Sequence, residues 1–141
     1  MTSPVLELQG AIVPRLKQTA AVTAICGSRV YDHVPRGANG NISATMPFVG
    51  IASSDALTDD ADCIRGSSVA INIDCWSDKP GFAEVQKLAE AVKQALHDDE
   101  TLTLGDNALL YLTHNQTRFI RETDGIVSHA VLTFDAFIEQ P

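Results

Sequence analysis

Apolar residues recur along the chain with two different periods, and the switches between them mark out the elements. Val5, Leu8, Ile12 and Leu16 share one side of a helix. Ser3 offers a side-chain oxygen to its first free N–H groups, and Pro4 takes the first position, where a missing N–H costs nothing. Pro14 presses on the carbonyl of Gly10, which predicts a kink there or two short helices. A second short helix over 20–25 should stop at Gly27. The period then changes to two. PFVGIAS, residues 47–53, reads as a strand, and SSVAINIDCW, residues 67–76, alternates most clearly. Val69, Ile71, Ile73 and Cys75 face one side of it, and Ala70, Asn72, Asp74 and Trp76 the other. The acidic stretch SSDALTDDADC between them predicts an exposed turn or hairpin loop.

Helical spacing returns after Asp78 and Pro80. Phe82, Val85, Leu88, Ala89, Val92 and Leu96 form an apolar stripe, with Glu84, Lys87, Glu90, Lys93 and Gln94 mostly away from it. HDDETLTLGDN ends that helix, and two strands follow over 108–121 and 126–139. Glu122-Thr123-Asp124-Gly125 joins them, and Asp-Gly is the strongest short-range hairpin signal. On the last strand Ala130, Leu132, Phe134, Ala136 and Ile138 share one face. The order predicts an α+β fold in a single domain over 1–141: an antiparallel sheet of about four strands, in two hairpins, with helices on one face. The last two strands are long for a domain of this size, and ends that outrun the core commonly serve a neighbouring subunit.

Composition narrows the role. The chain has 141 residues, 45% of them hydrophobic and 20% charged, as in an ordinary globular protein with a real core. Eighteen acidic side chains against ten basic ones leave a net charge of −8. A surface of that sign repels phosphate, which disfavours gripping DNA and suits a wall along which DNA slides. MTSPVLELQG lacks the pattern of a secretory signal. No apolar run approaches the roughly 18 residues of a membrane span, so the expectation is a cytoplasmic protein without membrane contact. Cys26, Cys63 and Cys75 form neither a CxxC pair nor a disulfide framework, and read as reduced thiols, mostly buried.

Chemistry is sparse. His33, His97, His114 and His129 match no metal-ligand spacing. His114 and His129 are placed to meet across the last hairpin, or equally to stand as surface polar residues. Asp32-His33 lies near no nucleophile elbow. Asp59, Asp60 and Asp62 lack the register of a calcium loop, and Gly37 and Gly40 match no phosphate cradle. Arg29, Arg36, Arg65, Arg118 and Arg121 are scattered, without clustered aromatic partners for RNA. Trp76 either closes the helix onto the sheet or anchors an interface. RVYDHVPRGANGNISATMPFVGI, residues 29–51, carries no regular period, which marks either a working loop or a disordered segment. Val30, Tyr31 and Val34 are expected to lie against the domain as a short extended edge ended by Pro35, and the exposed part, residues 36–45, to be free enough to order against a partner.

VYDHVP, PFVGI, DCWSDKPGFAEVQKLAEAVKQALHD and TRFIRETDGIVSHAVLTFDAFIE occur in that order over nearly the whole chain. In order and spacing they resemble the short tail-completion or tail-terminator proteins of long-tailed bacteriophages, prophages and gene transfer agents. One departure is TDGIVSHAV, where many relatives have a histidine pair and Ser128-His129 stands here. The resemblance implies a structural virion protein assembled in the host cytoplasm: a hexameric ring at the head-proximal end of the tail tube. Such a ring stops tube polymerisation and meets the head connector. Its implied partners are other copies of itself, the tail tube protein and a connector or stopper protein, with DNA only passing through the lumen. No catalytic residue, cofactor or metal is expected. The candidate assembly residues are Tyr31, His33, Arg36, Asn39, Asn41, Trp76, Arg118, Arg121 and His129. Two other readings are a stopper or adaptor ring between portal and tail, and a small enzyme or ligand module using His33, His114 or His129.

Overall fold

The computed structural model describes residues 2–141. Helix α1, Pro4–Gln18, starts where the cap residues put it: the Leu6 N–H donates to Ser3 Oγ (3.3 Å), and Pro4 follows. It continues through Pro14 as one helix, so the pair of short helices predicted there does not occur. Leu8, Ile12 and Leu16 are fully buried along it, and that packing outweighs the helix bond Pro14 cannot make. Helix α2, Ala20–Cys26, ends at Gly27, whose φ of 62° is the left-handed conformation glycine permits. Helix α3, Ala83–Leu96, buries Val85, Leu88, Ala89, Val92 and Leu96, as its stripe predicted.

The sheet corrects the four-strand expectation. It has five strands in the order β1-β2-β3-β5-β4, and it is mixed. The extra strand β1, Val30–Tyr31, lies parallel to the start of β2, Phe48–Thr58. The other pairs are antiparallel: β2 with β3 (Arg65–Ser77), β3 with β5 (Ser128–Gln140), and β5 with β4 (Ala108–Arg121). The two residues of β1 carry no period, but they fall in the short extended edge expected before Pro35. The acidic stretch is also corrected. Pairing with β3 extends β2 to Thr58, and only residues 59–64 turn. Its side chains are exposed throughout, so it has no buried face to alternate against. The β4–β5 hairpin forms as predicted, with Asp124 Oδ1 accepting from the Ile126 and Val127 N–H groups (both 2.9 Å) and Gly125 at φ 75°.

Helices pack on one face of the sheet only. Val69, Ile71, Ile73 and Cys75 on β3, and Ala130, Leu132, Phe134, Ala136 and Ile138 on β5, are buried beneath them. Burial pushes the Cys75 thiol well up, and likewise raises Cys26; Cys63 is exposed. Glu7 ties α1 to the segment before β4, its carboxylate accepting the N–H groups of Gly105 (2.7 Å), Asp106 (2.8 Å) and Asn107 (2.9 Å). An Arg15–Asp99 ion pair joins the same two elements. The opposite face of the sheet carries no helix.

Candidate assembly surface

Strand register brings aromatic side chains into one row on the helix-free face. Phe48 on β2 pairs with Trp76 on β3, and Trp76 with His129 on β5. The Trp76 and His129 rings stack at 4.1 Å between centres and 4° between planes. Phe48 lies 6.2 Å from Trp76, and Tyr31 meets Phe48 edge-on at 6.0 Å. The row thus crosses four strands and unites Tyr31, Trp76 and His129 from the candidate set. Trp76 does not close the helix onto the sheet, because β3 points Cys75 to the helices and Trp76 away from them. The period of two already separated these neighbours.

His129 is held between two carboxylates. Its Nδ1 lies 3.3 Å from Glu122 Oε1, and its Nε2 lies 3.6 Å from Asp74 Oδ1. The second contact is longer than a hydrogen bond, so it acts through charge, and neither Nε2 nor Asp74 Oδ1 has a hydrogen-bond partner among the described residues. Burial pushes the imidazole pKa down, but Asp74 and then Glu122 outweigh it, and the net shift is upward. His114 does not meet His129. It lies toward α3, edge-on to Phe134 at 5.5 Å, and burial lowers its pKa.

Residues 32–47 fold back over this face, and the segment is less free than its composition suggested. Arg36 bridges Ile42, the Gly37 N–H donates to the Asn41 carbonyl (2.7 Å), and the Ser43 N–H to the Pro35 carbonyl (2.9 Å). Arg36 Nη1 donates to the Gly40 carbonyl (3.0 Å), and Asn39 Oδ1 accepts from the Asn41 N–H (3.2 Å). Val34 sits over Gly50, where any Cβ would lie 2.6 Å from its Cγ2, so glycine permits the close approach. Between segment and sheet lies a cleft of about 410 Å³, lined by Asp32, His33, Arg36, Asp74 and Trp76 among others. Arg36, Asn39 and Asn41 thus belong to one small turn, and His33 and Arg36 share the cleft with Trp76.

The remaining candidates stand apart, on the outer strand β4. Arg118 is exposed on the helix-free face, opposite Val131. Arg121 turns the other way, its guanidinium 4.6 Å from the centre of the Phe82 ring. Sequence reasoning missed Phe48, Asp74 and Glu122 as members of the row. Asp74 was visible in principle, since it shares the face of Trp76 two residues away; nothing in the sequence pointed to Phe48 or Glu122. Among the described residues, no cluster of three or more His, Cys, Asp or Glu could hold a metal ion. No helix among them is long and apolar enough to cross a membrane.

No curated protein matches the chain. A solved chain described as "Virion of native gene transfer agent (GTA) particle" superposes with a TM-score of 0.86 at 25% identity, covering 99% of each chain. The family model described as "Tail completion protein gp17" matches residues 10–139, from within α1 to the penultimate residue of β5. The chain therefore belongs to the tail completion protein gp17 family, and is a structural protein of the tail of a phage or gene transfer agent virion.

Proposed function

We propose that this protein is the tail terminator: a homohexameric ring that caps the head-proximal end of the tail tube, halts its polymerisation and presents a surface to the head connector. The observation that carries the reading is the family match over nearly the whole chain, joined to superposition on a gene transfer agent virion chain from end to end. Its partners are then further copies of itself, the tail tube protein and a connector or stopper protein. The helix-free face, with its aromatic row and folded-back segment, offers a rigid docking surface. A net charge of −8 suits a channel through which DNA passes without adhering.

Electron microscopy of particles made without the protein tests this. A terminator's loss should leave overlong tails, because nothing halts tube growth. Normal-length tails attached to heads would overturn the proposal. Tailless, leaky heads beside free tails of normal length would also overturn it and assign the chain to the connector.

A further inference from the structure

The two outer strands use up their hydrogen-bonding edges in a complementary way. On β2, the Val49 N–H donates outward to the Arg29 carbonyl (3.0 Å), whereas the Asp59 N–H donates inward to Gly66 (2.9 Å). The register from Ser54 to Thr58 is unbroken, so counting back from Asp59 turns the N–H and C=O groups of Ser54, Ala56 and Thr58 outward. Strand β1 covers only Val49 and Gly50, leaving these three uncovered. On β4, the Glu122 N–H donates inward to Val127 (2.9 Å), so Arg121, Phe119 and Thr117 point outward. Farther along that edge the strand is already capped. The Leu112 carbonyl accepts from the Asp98 N–H (2.9 Å), and the His114 N–H donates to His97 Nδ1 (2.9 Å). Each edge keeps one open stretch of three outward residues, unpaired among the described residues.

Such edges recruit further strands unless something blocks them, and neither open stretch contains proline. Their charges block one pairing and favour the other. The β2 stretch carries Asp55 and runs into Asp59, Asp60 and Asp62, while the β4 stretch carries Arg118 and Arg121. Like edges repel and unlike edges attract. Each stretch also exposes a large apolar side chain, Leu57 at 68% and Phe119 at 40%.

We infer that residues 54–58 of one copy add as an antiparallel strand to residues 117–121 of the next copy. Full matching of the outward groups sets Ser54 opposite Arg121, Ala56 opposite Phe119 and Thr58 opposite Thr117. Leu57 then faces Arg118 on the helix-free side, with Asp55 on the diagonal to Arg118. The direction follows from the sheet, in which β2 and β4 run oppositely. Because two different edges meet, the contact repeats head to tail, the kind of contact from which a ring is built. Each open stretch is the C-terminal end of its strand, and because β2 and β4 run oppositely the two lie at opposite ends of the sheet. Successive copies are therefore staggered, as tilted strands in a closed ring of sheets require. This inference rests on the ring reading above.

The test is disulfide trapping in assembled particles. Full-length protein carrying Leu57→Cys and Arg118→Cys, with the exposed Cys63 changed to Ser, is incorporated into tails and oxidised. The expected result is a ladder of linked copies ending at one closed species, with neither single-cysteine variant linking. Dimers from a single variant would overturn the inference by showing like-edge pairing. Tail ends that hold a ring by microscopy yet give no ladder would overturn the edge pairing and leave the ring reading intact. One copy per tail end would overturn both. A second variant, Ala56→Pro, removes an outward N–H that the fold does not use. It should melt with the parent protein yet fail to enter rings; normal rings would overturn the inference.

Discussion

Protonation of His129 should stabilise the protein, and the sole tryptophan reports it directly. Folding raises the imidazole pKa above its ordinary 6.5: burial lowers it, but Asp74 at 3.6 Å and Glu122 at 3.3 Å outweigh that. A group whose pKa rises on folding stabilises fully below its unfolded value, and that contribution is lost as pH climbs through the folded value. The loss therefore falls above about pH 6.5. The magnitude is modest because Glu122 is partly exposed to water, and because burying Asp74 Oδ1 and His129 Nε2 costs much of what their attraction gains. Partly exposed pairs are worth about 0.2–1 kcal/mol each, so the two together give about 1 kcal/mol. That corresponds to a few degrees in Tm at this chain length, at about 2–4 °C per kcal/mol. An imidazolium stacked 4.1 Å from Trp76 quenches its emission, so fluorescence against pH gives the titration and urea midpoints give the stability. Asp74→Asn should lower the fluorescence midpoint, and His129→Phe should keep the stack while abolishing the titration. A midpoint at or below 6.5 would refute the reasoning, as would equal pH dependence of stability in the parent and His129→Phe.

Three further outcomes follow from other parts of the fold. Gly66→Ala places a Cβ 2.5 Å from both the Asp59 carbonyl oxygen and Phe137 Cζ. It should destabilise by about 1–3 kcal/mol in urea melts, and an unchanged midpoint would show that the hairpin yields without cost. Backbone hydrogen bonds, Asp106 first, hold the Glu7 carboxyl below the usual range, so its contribution is present at neutral pH and lost as pH falls through that depressed value. Glu7→Gln should flatten the acid limb of the stability curve and speed hydrogen exchange at residues 105–107; an unchanged acid limb would contradict the clamp. Deleting residues 37–43 removes a turn whose bonds are mostly its own, so thermal stability should hold while assembly into particles falls, and undiminished assembly would refute a role for that turn.

Much of the fold was legible because burial imposes a period. The β3 and β5 alternations and the α3 stripe each have one face sealed against the core, and every position named on those faces lies there except Phe82, which precedes α3 and is only partly buried. What escaped lacked that constraint. The second half of β2 is exposed on both faces, so its residues follow backbone pairing with β3 alone, and SSDALT reads as a loop. Pro14 shows the converse, a local rule outweighed by the buried side chains around it. Among the candidate residues, Tyr31, Trp76 and His129 came together because register sets them in one row. Arg118 and Arg121 were separated because residues three apart in a strand face opposite sides.

The cleft beside this row invites a catalytic reading, since a perturbed histidine near a cavity commonly marks an active site, although His129 itself does not line it. Its physical account does not need one. The His129 shift is produced by two fixed carboxylates, an arrangement structural ion pairs also create. The ring is held by the stack on Trp76, with Nδ1 toward Glu122 and Nε2 toward Asp74, two carboxylates whose charge stabilises the imidazolium. No serine or cysteine nucleophile is among the residues that pair with it. What the arrangement does provide is rigidity: a row tying β1, β2, β3 and β5 together beneath the folded-back segment. A rigid face suits a subunit that must present one geometry to its partners, since little side-chain freedom is then lost on docking.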